Sequence, residues 1–401
     1  MLRIAKTLPG FLLLLILIGL TGCYPALINQ AHRPDEALSR VRFFYPTFRD
    51  DMQIDSLVLA LERNLEYLHR LDPEFFFYYG PDKFTCRQVL ESQEALLKLI
   101  KKNPDPDELN KEVRKQFRLY RATGRVGNSK VLFTGYFEPI FDGSLTPDET
   151  FKYPIYRQPD DLVKIDLSLF SKKFKGQSIV AKIEGNKVIP YYSRHHIELE
   201  KALQGRNLEI TWLKDPVDVA FLHIQGSGRL RLPDGNTVRV GYKASNGHPY
   251  RSIGRYLLDM GFMNREQMSM QGIRKYLTEH PDIINEVLDH NPSYVFFHVL
   301  DSGPLGNINV PVTPGRSLAL DDRLFPKGAL AFMKCRKPVV NDQGEITKWK
   351  EFSRFVLNQD TGGAIKGAGR ADLFWGSGPY AEIAAGHMQH DGMLYILIKK
   401  P

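Results

Sequence analysis

Strand-like runs fill two separate stretches of this 401-residue chain, and helical runs cluster apart from them. That order argues against an alternating βαβ sheet and predicts an α+β fold that is mostly β. The clearest strand signal is a hairpin: Arg229-Leu-Arg-Leu232 and Thr237-Val-Arg-Val240 flank the turn Pro-Asp-Gly-Asn. Period-two alternation puts Leu230, Leu232, Val238 and Val240 on one face, and Arg229, Arg231 and Arg239 on the other. Further strands are expected at 131–137, 153–156, 188–192, 219–224 and 293–300, then at 330–334, 353–358 and 394–399. Leu57, Leu61, Leu65 and Leu68 recur at helical spacing. Thr85-x-x-Gln88 reads as a capping box opening a second helix. A third helix is expected over 108–120, and more between Tyr250 and His290 with a cap at Asn264. The length fits two domains.

The N-terminus sets the compartment. Arg3 and Lys6 precede an apolar run, Phe11 to Leu20, broken only by Gly19. The run is short for a membrane span and has the shape of a signal peptide over residues 1–22. It ends in Leu20-Thr-Gly-Cys23, which resembles a bacterial lipobox. Cleavage before Cys23 and acylation of its thiol would anchor the chain by lipid, with an uncleaved membrane anchor as the alternative. Tyr24, not aspartate, follows Cys23. By the same resemblance, this directs the protein to the periplasmic face of the outer membrane. In that compartment Cys86 and Cys335 could pair, or both could stay buried thiols.

The net charge of +8, from 54 Lys+Arg against 46 Asp+Glu, favours anionic partners. Without a zinc finger, an RNA-recognition signature or a long basic run, nucleic acid is not expected; anionic lipid and anionic cell-wall polymer remain. Several familiar chemistries lack their motifs: no phosphate-binding loop, no H-E-x-x-H and no G-x-S-x-G elbow. His387 and His390 lack an evident third ligand, so no metal or organic cofactor is expected.

The densest segment is Asp360-Thr-Gly-Gly-Ala-Ile-Lys-Gly-Ala-Gly-Arg-Ala-Asp372-Leu-Phe-Trp-Gly-Ser-Gly378, with six glycines. Glycine lets backbone approach a ligand closely. Asp372 lies in an apolar, strand-like setting, where desolvation would raise its pKa toward that of a general acid. Trp375 could present a flat face to a sugar ring. A tight structural loop with Asp372 capping backbone amides is the plain alternative.

Several ordered blocks between Val131 and Tyr395 resemble the membrane-bound lytic murein transglycosylase A family of the 3D-domain type. They include Gly135-Tyr-Phe-Glu-Pro139, Pro190-Tyr-Tyr-Ser-Arg194, Gln225-Gly-Ser-Gly-Arg-Leu-Arg-Leu-Pro-Asp-Gly235 and Asn246-Gly-His-Pro-Tyr-Arg-Ser-Ile-Gly254. Asn291-Pro-Ser-Tyr-Val-Phe-Phe297, Thr313-Pro-Gly-Arg-Ser-Leu-Ala-Leu-Asp321 and Asp360 to Gly367 with the trailing Asp372 complete the set. The resemblance implies a double-psi β-barrel domain, residues 24–143 plus 306–401 with the N-terminal helices. It implies an inserted β-rich substrate-binding domain, 144–305, and a groove between the two. It also implies cleavage of the β-1,4 bond between N-acetylmuramic acid and N-acetylglucosamine in peptidoglycan, leaving 1,6-anhydromuramoyl ends. Asp372 would be the single catalytic acid/base, supported by Asp360 and Asp321. Tyr136, Glu138, Gln225, Ser227, Arg229, Asn246, Lys366 and Trp375 would bind substrate. A cell-wall remodelling complex would be the setting, though no motif names a protein partner. Two other readings stay open: a hydrolase using Asp360 and Asp372 as a pair, and a wall-binding lipoprotein without activity.

Overall fold

A computed structural model describes residues 31–125, 128–265, 267–301 and 303–400. Cys23 and the apolar run before it lie outside the described residues. Six strands close a barrel: Val131–Tyr136, Arg370–Phe374, Ser317–Ala319, Ile346–Asp360, Leu330–Val340 and His390–Lys399, the last pairing back to the first. Two pairings in the ring are parallel, Arg370–Phe374 with Val131–Tyr136 and Ser317–Ala319 with Ile346–Asp360. Parallel neighbours need long crossovers, and the longest of these carries the second β unit. The strands Phe117–Ala122 and Leu38–Val41 extend the sheet beyond the ring. The result is the mostly β, α+β architecture expected above.

The chain leaves the barrel after Tyr136 and re-enters it at Ser317. Between these points it builds a six-stranded sheet, starting with Ile140–Ser144 and ending with Val295–Leu300, and a three-stranded sheet from Val163–Asp166, Ser178–Glu184 and Lys187–Pro190. Residue 143, where the first domain was expected to end, lies inside a strand of the six-stranded sheet.

Alternation along the long strands feeds two cores. Ala331, Met333 and Cys335 join one cluster with Val131, Phe133, Ala371 and Leu373. Leu330 and Phe332 join another, with Leu57, Leu61, Leu96 and Ile100 from the outer helices Ile54–His69 and Cys86–Ile100. The capping box at Thr85 and Gln88 is present as expected. Cys86 and Cys335 are both buried free thiols.

Three local expectations are corrected. Val219 to Ile224 is helix, part of Pro216–Gln225, although its residues are β-formers. Asp215 caps the N-terminus, Pro216 opens the first turn, and Gly226 at φ +74° closes the helix in a left-handed conformation open to glycine. These end signals override the β propensity of the interior. The helix expected to reach Tyr120 stops at Gln116, and Phe117–Ala122 pairs as a strand. The helix Met270–Glu279 is capped by Ser269, whereas Asn264 accepts from the Gln267 amide in the turn before it.

Candidate active site

Asp372 and Asp360 come together through strand register. Ala319 is the cross-strand partner of both, on opposite sides. Strand spacing therefore sets their Cα atoms about 10 Å apart. Leu318 and Leu373, one step away in register, face the core instead. The strand Val131–Tyr136 completes the row: Thr134 is the parallel partner of Asp372, and Tyr136 lies two residues on, on the same face.

The side chains follow this placement. Thr134 Oγ1 donates to Asp372 Oδ1 at 2.6 Å, and Arg370 Nη2 donates to the same threonine hydroxyl at 3.5 Å. Tyr136 Oη donates to Asp360 Oδ2 at 2.8 Å. Asp360 Oδ1 also accepts the backbone N–H of Thr361 at 2.8 Å and of Asn307 at 3.1 Å. Burial pushes both carboxyls up to about 6. The Thr134 hydroxyl and the Arg370 charge resist the shift at Asp372; Tyr136 and the two amides resist it at Asp360, while the Asp372 charge adds to it. Burial also drives the Tyr136 phenol well above its ordinary value, with both carboxylates adding to the effect, so it stays a donor. Three donors aim at Asp360 and one at Asp372. A shared proton is therefore better placed on Asp372, where it displaces fewer hydrogen bonds to the charged form.

Asp321 is fully buried, and its environment differs. Burial alone would raise its pKa. Arg323, in a two-pronged ion pair at 2.7 and 2.9 Å, and the Gly367 N–H at 2.7 Å outweigh it and hold the carboxyl below the usual range. Asp321 thus pins the glycine-rich loop that leads to Asp372.

Residues 132–298 match the family described as the MltA specific insert domain, and residues 316–398 match the 3D domain. The membrane-bound lytic murein transglycosylase A of Escherichia coli K12 is 30% identical over 285 residues, covering 70% of this chain and 69% of that protein. That of Vibrio cholerae is 31% identical over 270 residues, covering 67% of this chain and 65% of that protein, just under two thirds of its length. The crystal structure of the membrane-bound lytic murein transglycosylase from Agrobacterium tumefaciens is 33% identical, with a TM-score of 0.73, and the match covers 90% of this chain and 98% of that one. The chain belongs to the membrane-bound lytic murein transglycosylase A family.

The remaining residues expected to bind substrate in this family member divide into two groups, with Lys366 apart from both. Glu138, Gln225, Ser227 and Arg229 gather where the chain passes from barrel to insert. Glu138 is buried and grips Arg229 at 2.7 Å and Arg239 at 3.2 Å; Arg229 Nη2 reaches Ser377 Oγ at 3.2 Å, which ties the insert hairpin to the loop after Asp372. Gln225 Oε1 accepts the Phe137 N–H at 3.0 Å, one residue beyond Tyr136. Ser227 is buried at the start of the strand Ser227–Arg231. The arginine face of the hairpin is thus committed internally, with Arg231 held by Asp142 at 2.7 Å.

Asn246 and Trp375 do other work. Asn246 is fully buried; its amide donates to Tyr192 O and Pro292 O, both at 2.9 Å, and accepts from Tyr294 N at 2.9 Å. It locks the insert, with little left for a sugar. Trp375 is only 9% exposed and sits in the barrel core. A Cβ on Gly135 would lie 2.6 Å from its indole, so the ring is packed over that glycine and its face is not offered to ligand. Lys366 is exposed on the glycine-rich loop. Sequence reasoning missed Thr134, Arg370 and Asn307; Thr134 was legible only once the register opposite Asp372 was known. Among the described residues no group of three or more His, Cys, Asp or Glu could hold a metal ion.

Proposed function

We propose that this chain is a peptidoglycan lytic exotransglycosylase with Asp372 as its one acid/base. The observation that carries the reading is the asymmetry of the carboxyl row. Asp372 is pushed up to about 6 with a single side-chain donor, beside Asp360 held by three donors. Protonated Asp372 gives its proton to the glycosidic oxygen as the bond to N-acetylmuramic acid C1 breaks. Positive charge then spreads over the sugar ring, and the ionised Asp360 stabilises it. The Asp372 carboxylate next takes the proton from the C6 hydroxyl of the same sugar, and that oxygen closes on C1. The 1,6-anhydro ring forms and Asp372 is protonated again. Intramolecular attack has a high effective concentration, so no second carboxylate is needed to activate water. Tyr136 orients Asp360, and Thr134 orients Asp372. Glu138, with Arg229 and Ser377, sets the insert against the barrel so that a glycan strand can lie between them.

The anchor reading belongs here as well: Cys23 as the acylated first residue of the mature chain, at the periplasmic face of the outer membrane. The family's printed name, membrane-bound, supports membrane association. Among the described residues no helix is long and apolar enough to cross a membrane. The unit boundaries best supported by the sheets fall between Tyr136 and Ile140 and between Leu300 and Ser317.

One observation favours a second reading. Two aspartates, both pushed up to about 6, flank Ala319, and a pair acting through water could make the chain a hydrolase. Mass spectrometry of soluble products from purified murein sacculi separates the two. Fragments one water lighter than hydrolysis products are expected. Free reducing ends would establish the hydrolase, and binding to sacculi without release would mean a wall-binding protein.

A further inference from the structure

Phe43 and Phe44 stand 76% and 98% exposed at the edge of the barrel, just after its edge strand Leu38–Val41. Phe44 has φ +58°. A left-handed backbone at a bulky residue is costly, and Phe44, almost wholly exposed, has little packing to offset it. A turn held at that cost so as to present two aromatic rings to solvent calls for something that covers them.

The surroundings indicate what covers them. Arg40, Val41, Arg42, Tyr45, Arg118 and Lys400 line a cleft of ≈ 390 Å³, and Arg42 and Tyr45 flank the two phenylalanines in the chain. Arg40 and Arg42 are exposed. Lys400 Nζ donates to the carbonyls of Arg114 and Lys115, and Arg118 lies 3.9 Å from Asp82. The cleft is lined by four cations and no carboxylate; Lys400 and Arg118 already have partners, and Arg40 and Arg42 make no ion pair among the described residues. The other acids near the chain entry, Asp35 and Glu36, are paired with Arg33. Phe75, Phe76 and Tyr78, 42–54% exposed, lie on or next to the hairpin strand that packs beside the turn Pro34–Ala37. Ala31 shares a core cluster with Leu38 and Phe77, so the chain enters the fold at this edge. Eight residue steps separate Ala31 from Cys23, a reach of at most about 29 Å.

We propose that this barrel edge docks on the membrane surface. Phe43 and Phe44 enter the boundary between headgroups and acyl chains, while the cations take phosphate oxygens of lipid headgroups. Protruding rings with a basic collar match an interfacial lipid site, where buried apolar area and attraction to anionic headgroups add. Acyl chains on Cys23 would hold the protein to the bilayer without fixing its orientation; a second contact does that. The inference rests on the Cys23 anchor reading but not on the catalytic one.

The test uses the full-length acylated protein in vesicles of zwitterionic lipid with and without phosphatidylglycerol. An apolar fluorophore is placed by Phe44→Cys or, for comparison, by Phe170→Cys. Phe170 is 75% exposed beside Lys172 and Lys173, on the insert and far along the chain from the anchor. Cys86 and Cys335 are buried, and acylation blocks Cys23. Lipid-borne quenchers should remove at least about half the emission at position 44 and clearly less at position 170. Equal or reversed quenching would overturn the proposal. Arg40→Glu with Arg42→Glu should at least halve the quenching at position 44 on anionic vesicles at low salt; no change would remove the headgroup contact from the proposal. Intact mass reports acylation of Cys23 separately, so failure of the anchor and failure of the docking face are told apart.

Discussion

Two carboxylates lie close together in this fold and behave oppositely. Asp321 is fully buried yet held below the usual carboxylate range, whereas burial pushes Asp372 up to about 6. Both are tied to the strand Ser317–Ala319, Asp321 two residues beyond it and Asp372 across from Ala319. Burial pushes both carboxyls up and is the leading cause at Asp372. Donors outweigh it at Asp321, which has the Arg323 guanidinium and the Gly367 and Arg323 amides, but not at Asp372, which has one hydroxyl. One site is wired as a permanent anion and serves structure. The other is left short of partners and can exchange a proton.

The largest effect that could break this comparison is on turnover. Asp372→Asn keeps the shape and removes the proposed proton donor, so release of anhydro products from sacculi should fall by about 10²- to 10⁴-fold. Asp321→Asn should retain far more activity in whatever fraction folds. Comparable losses in both, at equal folded protein, would mean that the division of roles is wrong.

Stability gives a crossing pair. Asp321→Ala orphans the Gly367 N–H and should cost about 2–3 kcal/mol near neutral pH in denaturant unfolding. A carboxyl with depressed pKa contributes stability that is present above its unfolded value of 3.8 and lost as pH falls through the folded value, so the gap to wild type should close in acid. Asp372 has the reverse sign. Its pKa is raised from 3.8 to about 6, so the native state is favoured below about 4, and that advantage is lost as pH rises through 6. Asp372→Asn should then be more stable than wild type above pH 6, by about 1–3 kcal/mol, with no difference near pH 4. Parallel curves for the two variants would show that the contrast in donors does not govern them.

The sequence made legible the parts that depend on local pattern: the hairpin at Leu230 and Val238, the capping box at Thr85, and the apolar setting that raises Asp372. It misled where position in space overrides residue type. Trp375 looks like a sugar platform beside a catalytic aspartate, but Gly135 on the neighbouring strand leaves room for its ring and draws it into the core. Asn246 looks like a recognition amide, but backbone groups around residues 192 and 292–294 occupy it. Val219 to Ile224 looks like a strand until its end signals are weighed against its interior. Thr134 and Asn307 were invisible because they reach the site through register and a loop, and no motif encodes either.

The finest test of the contrast is Thr134→Val, which removes the one side-chain donor to Asp372 and leaves volume nearly unchanged. The hydroxyl favours the ionised carboxyl, so its loss should raise the Asp372 pKa further. The proposed mechanism needs protonated Asp372 in the first step, so kcat/KM should fall as pH rises through that pKa. The falling limb should therefore move to higher pH, by about half to one unit, with some loss at the optimum from poorer orientation. A structural role alone would lower activity at every pH and leave the limb in place. A limb that moves to lower pH would mean that Thr134 stabilises the protonated acid, and the donor argument for Asp372 would then have to be reversed.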